Sequence, residues 1–175
     1  MKKLLLLIAF VSFQILFSQN ILDLDLKNVE LQGMKPVKVN QEMKDVGITQ
    51  NPFITNNPDI ISKIANEGQA SKIKNLYAFV YNNPKDDLHD GGVYIYEFKT
   101  KSDLQNYLKQ NFEQSNYRVL VKDLFYIRIW SDYSLQLKGK ETSDDHLNKM
   151  EKYYTELGAK RIILKPDESI ITVVQ

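Results

Sequence analysis

The chain has 175 residues, 23 Lys+Arg against 22 Asp+Glu for a formal charge of +1, 43% hydrophobic residues and no cysteine. That composition belongs to an ordinary folded chain able to bury a core, and excludes disordered, collagen-like and coiled-coil polymers. The balanced charge supplies no global field for a polyanion, and the absence of Cys excludes disulfides, thiolate metal sites, Cys nucleophiles and a lipidated N-terminal Cys.

Lys2 and Lys3 precede the apolar run Leu4–Phe17, and small Ser18 stands before polar Gln19 and Asn20. Positive, apolar, small, polar is the order of a secretory signal. As a helix the run spans about 21 Å, short of the roughly 30 Å of a bilayer core. Residues 1–18 are therefore expected to be a signal peptide cut between Ser18 and Gln19. A retained anchor is the alternative, since Leu16 is large for the −3 position. Cleavage removes Lys2 and Lys3, turns the formal charge to −1, and leaves an exported chain, periplasmic or extracellular, with no stable membrane anchor.

Residues 19–75 are expected to form an N-terminal arm with one short helix, packing on a core domain at 76–175. Leu22, Leu24 and Leu26 alternate with polar neighbours as in a half-buried strand, and Val37 and Val39 suggest a second short one. Asn57 caps a predicted helix that begins at Pro58 and presents Ile60, Ile61 and Ile64, with Gly68 near its end. The stretch 33–58 between them is rich in Pro, Gly and Asn, the residues of loops.

Leu76–Tyr81 reads as a strand and residues 82–92, with Pro84 and Gly91-Gly92, as a loop. Val93–Phe98 is a strand, Ser102 with Gln105 caps a helix with the stripe Leu104, Leu108 and Phe112, and Tyr117–Val121 and Leu124–Trp130 form a hairpin. Ser143 caps a second helix, carrying Leu147, Met150, Tyr154 and Leu157 and ended by Gly158; strands at 161–164 and 169–174 follow. From Val93 the order is βαββαβ. The expected fold is α+β: a ferredoxin-like split βαβ core with extra strands, a two-layer sandwich with both helices on one side.

The sequence lacks a P-loop, a GxGxxG, an HExxH and a GxSxG, so it reads as a non-enzymatic domain with no expected cofactor. Two clusters nonetheless gather carboxylates around the only two histidines: Asp86-Asp87-Leu88-His89-Asp90 and Asp144-Asp145-His146. The ferredoxin-like order would set them side by side. Asp86, His89, Asp90, Asp145 and His146 are then candidate ligands of a divalent metal, or the site of a metal-dependent hydrolase. The plainer reading is solvated loop and helix-start chemistry.

Alternation places Tyr126, Arg128 and Trp130 on one side of their strand and Tyr94 and Tyr96 on one side of theirs. With Arg118 from the neighbouring strand, these are expected to make an aromatic and basic sheet face. Such a face binds a sugar, peptide or single nucleic-acid strand by stacking and Arg contacts. In an exported chain without an RNP-type motif, a partner protein or glycan is expected, and no nucleic acid. The competing expectation is that residues 20–75 cover this face, in which case Arg128 must reach a carboxylate or the surface. The apolar stretch Ile170–Val174 is a candidate edge strand for homodimer pairing.

Overall fold

A computed structural model describes residues 29–65, 67–110, 117–132, 139–164 and 171–174. The predicted signal, the Ser18/Gln19 cut and the Leu22–Leu26 strand lie outside them. The elements are β1 (Lys35–Pro36), α1 (Gln41–Asp45), β2 (Phe53–Thr55), α2 (Pro58–Ile64), a 3-10 segment (Glu67–Lys72), β3 (Ile73–Asn83), β4 (Asp86–Phe98), α3 (Lys101–Leu108), β5 (Tyr117–Lys122), β6 (Phe125–Ser131), α4 (Gly139–Glu156), β7 (Lys160–Leu164) and β8 (Ile171–Val174).

All the strands join one antiparallel sheet of order β1-β3-β4-β6-β5-β7-β8, with β2 beside β1 on the outer edge of β3. The expected loop before Val93 is mostly strand: β3 and β4 pair from Ile73↔Phe98 to Asn83↔Asp86 and turn only at Pro84 and Lys85. Gly92 permits this close pairing, because a Cβ there would overlap the Phe79 carbonyl oxygen.

The mixed α/β composition is as expected, but the strand order is not the ferredoxin-like one. In that order the strand after the second helix returns to the free edge of the first strand. Here β3 occupies that edge of β4, so β7 goes to β5 instead. The helix layers change with it. β4 leads through α3 to β5, and β6 leads through α4 to β7, each two places along the sheet in the same direction. β4 and β6 are antiparallel, so crossovers of the same hand must pass over opposite faces. The result is three layers, not two.

On one face, Ile61 from α2, Ala65 at its C-cap, and Leu104, Tyr107 and Leu108 from α3 pack on Leu76, Tyr96, Phe98, Val119 and Tyr126. On the other, Leu147, Met150 and Tyr154 of α4 pack on Val93, Ile95, Leu120, Ile127 and Ile129. Thr100 caps α3, accepting from the Asp103 amide at 3.1 Å and donating to its carboxylate at 2.6 Å. Asn57 caps α2 as expected. Ser143 does not cap α4: the helix begins at Gly139, and Ser143 is buried within it, donating to the Ser131 carbonyl at 3.0 Å. Gly158 follows α4 at φ +89, a left-handed value glycine adopts freely.

Between β1 and β2 the outer edge of β3 is closed by the Val37 amide, which donates to the Val80 carbonyl at 2.9 Å, and by one side chain. Asn51 Nδ2 donates to the carbonyls of Val37 (3.0 Å) and Val80 (2.7 Å), and its Oδ1 accepts from the Val80 amide at 3.0 Å. The carboxamide thus does a strand's work where no strand residue reaches. Asn51→Ala leaves part-buried backbone groups unmatched, and is expected to cost about 2 kcal/mol, or a fall of about 6 °C in thermal midpoint. An unchanged melt would show that this edge does not depend on the carboxamide.

Candidate functional site

The β5–β6 hairpin decides which side chains share a face. Lys122 pairs with Phe125 across Asp123 and Leu124, and Asp123 takes φ +53, a conformation Asp tolerates. Any two-residue connection here sets even-numbered β6 residues against odd-numbered β5 residues. Trp130 therefore opposes Tyr117, Arg128 opposes Val119, and Tyr126 opposes Val121. On its other flank β6 sets Arg128 against Tyr94 and Tyr126 against Tyr96. The aromatic face gains Tyr117, which the residue pattern had assigned elsewhere.

Arg118 is corrected by the same register. It opposes Ile129 and projects to the α4 face, where its guanidinium donates to Glu151 at 2.5 Å and Asn148 at 2.7 Å. Arg161 shares Glu151 at 3.2 Å. Arg118 thus ties the sheet to α4 and takes no part in the aromatic face.

The remaining candidates divide between core and surface. Tyr96 and Tyr126 are each 1% exposed and stacked, with ring centroids 5.4 Å apart. The Tyr107 ring of α3 meets both edge-on, at 5.8 and 4.9 Å, an arrangement worth about 1 kcal/mol per pair beyond its buried area. Burial raises the hydroxyl pKa of Tyr96 and of Tyr126 far above the ordinary tyrosine value. These two are core residues, and α2 and α3 cover this part of the face.

Next to these lies a half-buried corner made of Tyr94, Tyr117, Arg128 and Trp130, in which Tyr94 and Tyr117 pack against the same buried cluster. Tyr94 and Trp130 are nearly parallel, 7° apart in plane with centroids 6.1 Å apart. The Arg128 guanidinium carbon lies 4.8 Å from the Tyr117 ring centre and 5.8 Å from that of Tyr94, within cation–π range of both. Among the described residues Arg128 forms no ion pair. Its Nε and the Trp130 indole nitrogen are both buried without an acceptor.

Beside this corner, Asp90 hydrogen-bonds Asp132, the residue that follows β6. Burial first, and the neighbouring carboxylate second, push Asp90 up to about 6. The pair borders the aromatic corner closely enough for both charges to act on Tyr94, whose hydroxyl is raised mainly by burial and lowered by Arg128.

The two acidic histidine clusters separate around the Gly91↔Ser131 pair. Asp90 joins Asp132 on the aromatic side. His146 lies two turns into α4 with no exposure; one ring nitrogen stands 3.2 Å from the Gln32 carbonyl and the other 3.4 Å from the Ser131 hydroxyl. Burial lowers its pKa, which keeps the ring neutral. Asp145 pairs with Lys149 at 2.8 Å. The side chains of Asp86 and His89 lie outside the described residues. Among those described, no three His, Cys, Asp or Glu side chains group as metal ligands.

The residues missed by reading the sequence are Tyr117 and Asp132. The hairpin's parity is a signal for the first. Asp132 follows Trp130 by two positions, so the alternation that selected Trp130 extends to it. No protein-family model, curated protein or solved structure matches the chain.

Asp90 carries a pH prediction. Its native pKa exceeds that of an unfolded Asp, so the fold binds the proton more tightly than the unfolded chain does between about pH 4 and 6. Relative to neutral pH, this group adds stability as pH falls and loses it as pH rises through 6. Asp90→Asn is expected to raise stability at pH 7.5 by about 1 kcal/mol, discounted for solvent screening, with most of that gain lost by pH 4.5. Chemical denaturation at the two pH values measures this; an equal gain at both would place the cost elsewhere than in the charge.

Proposed function

We propose that the chain is an exported, non-enzymatic recognition domain of the cell envelope, and that a glycan or partner protein seats on the corner formed by Tyr94, Tyr117, Arg128 and Trp130. The observation that carries this reading is Arg128: a half-buried guanidinium held between two tyrosine rings with no carboxylate among the described residues to neutralise it. Aromatic rings and arginine are also the side chains most enriched where binding energy concentrates. The Lys2-Lys3 and Leu4–Phe17 order supports export, and no described helix is long and apolar enough to cross a membrane.

The reading as a divalent-metal protein or hydrolase has less support, because His146 and Asp145 are engaged with Ser131, Gln32 and Lys149. The recognition reading is tested with immobilised protein on a glycan array and against envelope extract. A bound ligand is expected whose retention falls about tenfold in Arg128→Gln and in Tyr117→Ala, the loss expected of a charged or stacked contact. Arg118→Gln, on the opposite face, is expected to retain it. Equal retention by all three variants would overturn the reading.

A further inference from the structure

The three arginines of the chain divide sharply. Arg118 and Arg161 both donate to Glu151, so two guanidinium groups share one carboxylate on α4. Arg128 has none among the described residues, although Asp90 and Asp132 lie close enough to act on its neighbour Tyr94. Those two acids hydrogen-bond each other and leave the guanidinium unmatched. Arg128 Nε and Trp130 Nε1 are closed to solvent without acceptors, which leaves the terminal guanidinium N–H groups as those a ligand can reach.

We propose that this corner recognises an acidic sugar, a pyranose bearing a carboxylate of the uronate type, with the carboxylate on Arg128. The inference rests on the recognition reading above and names the ligand class for that site.

Three physical points select this class. A guanidinium offers its N–H groups as a planar fork, which matches a planar carboxylate. One positive charge balances a monoanion, whereas a phosphate dianion would meet the Asp90–Asp132 pair with more repulsion than a single guanidinium offsets. Sugar hydroxyls are donors that need acceptors, and the same two carboxylates supply them within the bordering wall. A peptide recognised by strand addition would need a sheet edge. β4 and β6, which carry Tyr94, Arg128 and Trp130, are each paired on both sides there and offer no such edge.

Trp130 is the only tryptophan in the chain, so its emission reports the site directly. The test titrates the whole protein with glucuronate, with glucuronamide as its uncharged isostere, with glucose and with glucose 6-phosphate, following Trp130 fluorescence. Glucuronate is expected to change the emission saturably and to bind at least about tenfold more tightly than glucuronamide or glucose, as a charge-assisted hydrogen bond requires. Arg128→Gln should abolish that preference, and Arg128→Lys, which keeps the charge without the fork, should recover part of it. Both variants are checked for an unchanged thermal midpoint. Equal binding of glucuronate and glucuronamide would overturn the carboxylate assignment and leave the recognition reading standing. Tighter binding of the phosphate would overturn it in favour of a dianion site. No response to any sugar would overturn the ligand class, and the array experiment then decides the recognition reading separately.

Discussion

β3 lies along β4 for almost the whole length of both strands, and that one pairing constrains everything after it. It removes the free edge of β4 before the later strands need it. The closing strand of the βαββαβ run must then take the far edge, on β5. Its crossover runs in the same direction along the sheet as the first one but starts from an oppositely directed strand. With both crossovers of one hand, α3 and α4 cannot lie on the same side.

The chemistry of the two faces follows. α4 covers the aliphatic side with Leu147, Met150 and Tyr154, and a half-buried Arg118–Glu151–Arg161 cluster ties it to β5 and β7. Glu151 serves two cations there, and removing it would take a carboxylate from two half-buried guanidinium groups, which costs more than the pair itself contributes. α3 and α2 cover the aromatic side over Tyr96, Tyr126 and Phe98. Tyr94, Tyr117, Arg128 and Trp130 stay half-buried beside it.

Most elements were legible in the residues. Alternation marks β3, β5, β6 and β7, and the Asn57-Pro58 cap and Gly158 stop stand where the pattern puts them. Strand order was not legible, because it depends on which of two edges β7 finds free, a competition settled by β3, outside the βαββαβ run. Arg118 was misplaced for a simpler reason. Alternation within one strand leaves its two faces interchangeable, and only the hairpin register at Lys122↔Phe125 distinguishes them. The histidine clusters show the reverse case. The adjacency of β4 and β6 was read correctly and does bring Asp90 to the end of β6, but its partner there is Asp132. His146 lies deeper in α4 and turns its ring to Ser131 and Gln32, so composition alone overstated its availability.

The measurement closest to the centre of this account is a set of side-chain NOEs in the folded protein. Opposite-face packing predicts cross-peaks between the rings of Tyr107 and Tyr126, cross-peaks from Leu147 and Met150 methyls to Ile127 or Ile129, and none between Leu104 and Leu147. Cross-peaks joining Leu104 with Leu147, or Met150 with Tyr126, would put both long crossovers on one side of the sheet and contradict the account.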